Sequence, residues 1–301
     1  MKTFAAPLIV LTLLAACSRK DAPVPPAAPA APVKQVAATP APAAVANDRY
    51  APLMRAVFGT GYRPDQGNAL VTMPDPYAAG MQTPLLLTGI ASTQLPSGMT
   101  VLAVAGEDVD SNDNPDSSLG QPGYLSVYLL REENGQWQVL RRHENIAKLG
   151  SHGQVGKVSW VTLGPGRPGL VIESRVSNRG QTNGYLALFD PSAEKVADLT
   201  DGMLIHSDND DDCEDYRPKC WNNTATWRLD SASSAAPYHD VVLDIRSTLR
   251  NAKPGAIEAA EQAGGDIARD EWTGQSTARY VFTDGQYRLR EGKNEIAPQQ
   301  Q

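Results

Sequence analysis

Short apolar runs bounded by turn-forming residues recur through most of the chain and constrain its fold more than any other feature. Gly, Pro, Asn or Asp flanks each run, which is the pattern of short β-strands joined by tight turns. The runs cover residues 85–90, 100–105, 124–130, 137–140, 158–163, 169–176, 185–189, 224–229, 241–245, 278–282 and 287–289. Asn134-Gly135 and Asp284-Gly285 lie between consecutive runs and predict hairpins. The sequence therefore predicts a mainly β fold of antiparallel sheets, arranged as a sandwich or in a propeller-like form.

Two segments carry helical signals. Apolar residues recur at helical spacing over residues 53–58, and Asp48 ahead of them is a candidate N-cap. Residues 256–268 form the second segment, which Gly264-Gly265 interrupts. We therefore expect a short N-terminal helix and one minor C-terminal helical segment.

The first residues of the chain read as a targeting signal. Lys2 is followed by an apolar stretch over residues 4–16, which is shorter than the roughly 20 residues that a transmembrane helix needs. Residues 1–16 are therefore predicted to be a signal peptide. The following residues, Leu14-Ala15-Ala16-Cys17, resemble the lipobox of bacterial lipoprotein precursors.

That resemblance implies cleavage before Cys17, a thioether lipid on its sulfur and acylation of the new amino terminus. Ser18 in place of Asp is similar to the pattern of outer-membrane lipoproteins. The expected location is the cell envelope, with an outer-membrane lipid anchor facing the periplasm and the inner membrane or cell surface as alternatives. Several acyl chains hold a protein on a membrane stably, whereas one chain holds it only marginally.

A spacer is predicted between the anchor and the folded part. Residues 22–46 contain eleven Ala and seven Pro, and Lys34 is their only charged residue. Such a segment buries no core and favours extended polyproline II structure. The expected organisation is a lipidated N-terminus over residues 17–21, a linker over 22–46 and a single β-rich domain over 48–301.

The leader and linker differ in net charge from the rest of the chain. The whole chain has a formal charge of −7. Residues 1–46 hold four basic side chains and one acidic side chain, a net charge of +3, so the remaining residues carry −10. An acidic body disfavours nucleic acid as a partner and favours cationic proteins or divalent cations.

The segment after the second apolar run has an oxygen-bearing side chain at every second position. These side chains belong to Asp108, Asp110, Asn112, Asn114 and Asp116. Alternating oxygens of this kind suit Ca²⁺, which takes six to eight oxygen ligands. The segment resembles the calcium loop of integrin-type FG-GAP repeats, except that Asp113 stands where that family has a turn glycine. The resemblance implies a calcium site, and a solvated acidic turn is the alternative.

A second acidic run, residues 208–215, contains Cys213 and is followed by Cys220. Since Cys17 is assigned to lipid, the two remaining cysteines form an even pair, and a disulfide is expected in an oxidising compartment. We expect this bond to hold the acidic run in a fixed turn and to concentrate its negative charge. The alternatives are calcium on Asp208, Asp210 and Asp212, or zinc on the two cysteines and His206.

The sequence contains no HExxH, Gly-x-Ser-x-Gly, phosphate-loop or dinucleotide-binding motif, and none of its four His lies in a catalytic frame. Binding is therefore favoured over catalysis. The functional hypothesis is an anchored binding or inhibitor module, similar in role to guard or immunity proteins, directed at a cationic envelope enzyme. The alternatives are an envelope hydrolase and a structural or assembly lipoprotein of an envelope complex.

Overall fold

Antiparallel strands account for most of the structure. It is a computed structural model, and it describes residues 43–75, 78, 80–213, 217–231 and 236–296. The signal peptide, Cys17 and residues 22–42 of the expected linker lie outside these ranges. Strands β1–β6 form sheet one: Tyr62–Arg63, Asn68–Pro74, Gln82–Gln94, Thr100–Asp108, Gly123–Glu133 and Gln136–Leu149. Strands β7–β14 form sheet two: Lys157–Gly164, Arg167–Asn178, Gln181–Phe189, Met203–Asp208, Lys219–Asp230, Asp240–Ala252, Arg269–Thr283 and Gln286–Gly292. The helices are α1 (Ala43–Phe58), α2 (Asp210–Cys213) and α3 (Ala256–Ala263), and a short 3₁₀ turn covers Gly59–Gly61.

Each sheet is a meander in which every strand pairs with its neighbours along the chain. Short connections favour this order, because a tight turn returns the chain antiparallel beside the strand it has just left. The prediction of a mainly β, antiparallel fold is confirmed. Within the described residues neither sheet closes on itself, and the propeller-like arrangement is not observed.

Both predicted hairpin turns are present. Asn134 and Gly135 join β5 to β6 with φ values of 53° and 75°, and Asp284 and Gly285 join β13 to β14 with φ values of 52° and 85°. Positive φ at both central residues matches the right-handed twist of paired strands, and Asn, Asp and Gly adopt it at low cost.

All the predicted apolar runs lie within strands, and strands β1, β2 and β10 were not predicted. In β10 the run Met203–Asp208 is short and merges into the acidic segment that follows it. Strand β2 ends in a proline, and a proline in an apolar run favours an edge strand or argues against a strand. The local sequence pattern of these segments is weak, and hydrogen bonding to the neighbouring strands stabilises them as strands.

Helix α1 matches the expected N-terminal helix but begins at Ala43 rather than after Asp48. The cap prediction at Asp48 is therefore wrong, since the preceding alanine-rich residues continue the helix, as their high propensity allows. Met54 and Val57 of α1 are buried with Leu87 and Tyr128 of sheet one. Helix α3 ends where Gly264 follows it with φ of 68°, as the predicted interruption implied. No helix among the described residues is long and apolar enough to cross a membrane.

One apolar cluster contains residues from both sheets. Val127 and Leu129 of β5 pack with Ile172 of β8 and Phe189 of β9, all of them fully buried. A second cluster contains residues of sheet two alone, from strands β7 to β14 and their connections. The two sheets therefore share buried surface along strands β3–β6 and β7–β9.

Asp190 is a buried carboxylate that ties three parts of sheet two together. It follows β9 and accepts hydrogen bonds from Arg167 Nη1 at 3.0 Å and from Tyr238 Oη at 2.8 Å. The Ser192 backbone N–H and hydroxyl donate to its other oxygen. Burial alone would raise the pKa of Asp190, but the hydrogen bonds from Ser192, Tyr238 and Arg167 outweigh burial and lower it.

We predict that Asp190→Asn lowers the free energy of unfolding by about 2 kcal/mol at pH 7, because the charge facing Arg167 is lost. A carboxylate whose pKa is lowered by folding stabilises the protein above its unfolded-state pKa of about 4. The difference in the free energy of unfolding between parent and variant should therefore shrink as the pH falls below that value. Urea denaturation at several pH values measures it, with Asp284→Asn as the exposed control. A difference that stays constant down to acid pH would contradict this role.

Candidate functional site

The first acidic segment forms a small hairpin that extends from β4, here called the acidic hairpin (residues 108–116). Val109 and Pro115 form a β-bridge. The backbone N–H of Asp110 donates to Asn114 O at 2.9 Å, and that of Asp116 donates to Asp108 O at 2.8 Å. Backbone pairing therefore closes the segment.

The side chain of Asp110 orders the tip of the acidic hairpin. Its Oδ1 accepts hydrogen bonds from the backbone N–H groups of Asn112 at 2.8 Å and Asn114 at 2.9 Å. The backbone hydrogen bonds from Asn114 and Asn112 lower the pKa of this carboxyl. Asp113 adopts φ of 62°, and residues 110–115 are exposed. The tip is thus both ordered and accessible, and it carries the charges of Asp110 and Asp113.

The base of the acidic hairpin is half-buried. Asp108 Oδ2 accepts hydrogen bonds from Gln121 Nε2 at 2.8 Å and from Tyr124 Oη at 3.4 Å. Its Oδ1 is buried without a partner among the described residues, and burial raises the pKa of this carboxyl. Burial also raises the pKa of the neighbouring Glu107.

The predicted calcium ligands are adjacent in the hairpin, and several of them accept hydrogen bonds within it. Asp110 faces the backbone amides of the tip, and Asp116 Oδ1 accepts from the Ser118 backbone N–H at 3.1 Å. Among the described residues, no group of three His, Cys, Asp or Glu side chains could hold a metal ion. Within the hairpin, whose residues are all described, Asp108 Oδ1 is the one buried side-chain oxygen without a hydrogen-bond partner. Calcium on Asp108, Asp110, Asn112, Asn114 and Asp116 stays a prediction.

The second acidic run is organised differently. Cys213 and Cys220 form the expected disulfide, with an S–S distance of 1.98 Å, so neither sulfur is free for zinc. Asp210 pairs with Arg250 at 3.0 Å, and Asp212 pairs with Arg217 at 3.1 Å. The expectation that the disulfide concentrates negative charge is wrong for these two carboxylates, because neighbouring guanidinium groups neutralise them. Glu214 and Asp215 lie outside the described residues.

A loop joins β6 to β7 and touches both the acidic hairpin's flank and sheet two; we call it the bridging loop (residues 150–156). The Gly153 backbone N–H donates to Gln121 O at 2.9 Å, and Ser151 Oγ donates to Arg175 O at 3.2 Å. His152 Nδ1 lies 3.0 Å from Ser117 O. Gly150 adopts φ of 67°, and a Cβ there would lie 2.2 Å from Gln154 O. Only glycine therefore fits this close approach.

A cleft of about 650 Å³ lies between residues 150–157 and strands β8–β11. Its charged lining side chains are Lys157, Glu173 and Arg175, so it is named the cationic cleft. His206 also lines it, next to a β-bulge between Leu204 and His206. Bulges often re-aim side chains beside functional sites. His206 Nε2 is hydrogen-bonded to Asp208, and Glu173 Oε1 accepts from Trp227 Nε1 at 3.4 Å.

The cationic cleft was not predicted from the sequence. Its charged residues and His206 come from three different strands, β7, β8 and β10, and each is an ordinary polar residue in its own local pattern. His206 and Asp208 occur at a two-residue spacing, which is the only local signal that sequence reasoning could have used. Comparison with protein-family models, with curated proteins and with solved structures finds no match for this chain.

We predict that Cys213→Ala combined with Cys220→Ala lowers the free energy of unfolding by about 2.5 kcal/mol, since the bond closes a short loop and restricts the unfolded chain. Urea denaturation measures the loss. Adding a reductant to the parent should give the same loss and leave the variant unchanged, and a reductant effect on the variant would contradict the assignment.

A second prediction concerns the order of the hairpin tip. Asp110→Ala should increase amide hydrogen exchange at Asn112 and Asn114 several-fold, because both amides lose their acceptor. Because the pKa of Asp110 is lowered, protection in the parent should persist as the pH falls and be lost only below the ordinary carboxylate range. NMR-detected exchange measures both effects. Asp113→Asn, which keeps a residue tolerant of positive φ, should leave exchange unchanged; equal rates in parent and Asp110→Ala would reject the role of Asp110.

Proposed function

We propose that the chain is a lipid-anchored envelope protein whose acidic hairpin binds a cationic protein, such as a wall-degrading enzyme, and blocks its cleft. The observation that carries the proposal is the ordered and exposed tip of the hairpin, where Asp110 is hydrogen-bonded to two backbone amides. Such a tip loses little conformational freedom when it binds, so more of the interaction energy appears as affinity.

The proposed address is the outer membrane, with lipid on Cys17 and the body facing the periplasm. The lipobox-like residues and the short apolar leader support it, as does the Ala- and Pro-rich segment ahead of α1. The disulfide between Cys213 and Cys220 fits an oxidising compartment. Inhibition at this address would protect the cell's own wall.

Charge supports a cationic partner. The net charge of −10 after residue 46 would accelerate association with a basic enzyme through electrostatic steering. Leu119, close to the hairpin in sequence, is 49% exposed and offers an apolar contact beside the charges. The salt bridges of Asp210 and Asp212 leave the hairpin as the better candidate of the two acidic segments.

The proposal includes a sandwich arrangement of the two sheets. The buried cluster of Val127, Leu129, Ile172 and Phe189 supports it, since both sheets contribute to that cluster. A packed support of this kind would hold the hairpin at a fixed position. Calcium is not needed for any step of this proposal.

We predict that the full chain binds a basic muramidase with an affinity that falls as salt increases. Asp110→Asn combined with Asp113→Asn should reduce the association rate about tenfold, because two charges leave the contact surface while the turn residues keep their conformations. Surface plasmon resonance at several salt concentrations measures the rates, and loss of muramidase activity measures the block.

The matched control is Glu132→Gln combined with Asp284→Asn, which removes two exposed charges from other hairpins, one of them also at a positive-φ position. This control should bind as the parent does. If the association rate fell equally in both double variants, the effect would be one of net charge, and a binding site on the hairpin would be contradicted. Absence of binding to basic muramidases, together with hydrolysis of peptidoglycan by the chain alone, would overturn the proposal in favour of a hydrolase.

A further inference from the structure

The cationic cleft has the size of a small-molecule site. Its volume of about 650 Å³ falls within the range of about 300 to 1,000 Å³ that is typical of ligand pockets. The bridging loop forms one wall, and it is held on both sides by the hydrogen bonds of Gly153 and Ser151. One wall of the cleft is therefore held in place by backbone hydrogen bonds, and the exposed side chains of Lys157 and Arg175 line it.

Two cations in this cleft have no ion-pair partner among the described residues. Lys157 pairs with Glu173 in the register of β7 and β8, and Arg175 lies two residues further along β8, so all three share one face. Glu173 Oε1 accepts from Trp227 Nε1. Within the described part of the chain, neither Lys157 nor Arg175 forms an ion pair. An anionic group in the cleft would satisfy both, and guanidinium matches carboxylate and phosphate geometry.

His206 adds an oriented acceptor beside these cations. Its Nε2 is hydrogen-bonded to Asp208, which in the neutral ring places the proton on Nε2 and leaves Nδ1 with a lone pair. Nδ1 has no hydrogen-bond partner among the described residues. Gly184 makes room for this ring, since a Cβ at that position would lie 2.8 Å from His206 Cβ. A ligand hydroxyl could donate to Nδ1.

We propose that the cationic cleft binds an anionic, hydroxyl-rich small molecule, a sugar acid or sugar phosphate. Lys157 and Arg175 hold the anionic group, and His206 accepts a hydrogen bond from a hydroxyl. The site is separate from the acidic hairpin, so this inference goes beyond the proposed function and does not rest on it.

Isothermal titration of the full chain with glucuronate, glucose 6-phosphate and glucose tests the proposal. We expect saturable binding of at least one anionic sugar with a Kd of about 1 mM and no saturation by glucose at the same concentrations. Tighter binding of glucuronate identifies a carboxylate as the natural group, and tighter binding of glucose 6-phosphate identifies a phosphate; either result supports the site. The ring NMR signals of His206 should shift on titration with the sugar that binds.

Lys157→Gln combined with Arg175→Gln should weaken binding about tenfold or more, because both charge-assisted contacts are lost. The control is Lys195→Gln combined with Arg179→Gln, which removes the same charge from exposed positions that do not line the cleft. Near-ultraviolet circular dichroism verifies that each variant is folded. Failure of both anionic sugars to bind, equal binding of glucose, or equal loss in the control would overturn the proposal. Asp110→Asn combined with Asp113→Asn should leave sugar binding intact, which separates this test from that of the hairpin.

Discussion

The buried contact between the two sheets is the constraint on which the positions of both candidate sites depend. Val127 and Leu129 of β5 are buried with Ile172 and Phe189 of sheet two. The chain passes from one sheet to the other through the bridging loop, whose backbone contacts the flank of the acidic hairpin at Gln121. Because the hairpin extends from sheet one and the cleft lies on sheet two, the apolar contact and this loop together fix the acidic and the cationic features beside each other.

The two acidic segments look alike in sequence and differ in the folded protein. In the first segment, Asp110 accepts hydrogen bonds from backbone amides, so its charge orders a turn and stays accessible to a partner. In the second, Asp210 and Asp212 meet Arg250 and Arg217, which neutralise them. Arg250 comes from β12, far along the chain, whereas Arg217 follows the acidic run by two residues, and the composition of the run itself carries no information about the distant arginine. Local charge density is therefore a poor guide to surface potential in a fold with many long-range strand pairs.

Several elements could be predicted because their causes are local. Asn134-Gly135 and Asp284-Gly285 adopt positive φ for reasons contained in the two residues themselves. Strand β10 was missed because its apolar run, Met203 to Ile205, is short and merges into the acidic segment, while pairing with β9 and β11 stabilises it. The cationic cleft was missed for a related reason. Lys157, Arg175 and His206 meet only through strand register and a β-bulge, which depend on contacts between segments far apart in the chain.

The sequence by itself determined the mainly β class, the hairpin turns and the pairing of Cys213 with Cys220, since strand periodicity, turn chemistry and the cysteine count are local or additive properties. The lipobox resemblance is also a property of the sequence alone, because it depends on consecutive residues and not on contacts in the folded protein. The tertiary structure alone decided that the acidic hairpin closes through its own backbone and that Asp210 and Asp212 of the second acidic run are paired with arginines. It also decided that Lys157 and Arg175, which have no ion-pair partner among the described residues, share a cleft with His206. These features depend on which strands become neighbours, because burial and charge pairing are set by distances in space rather than by spacing along the chain.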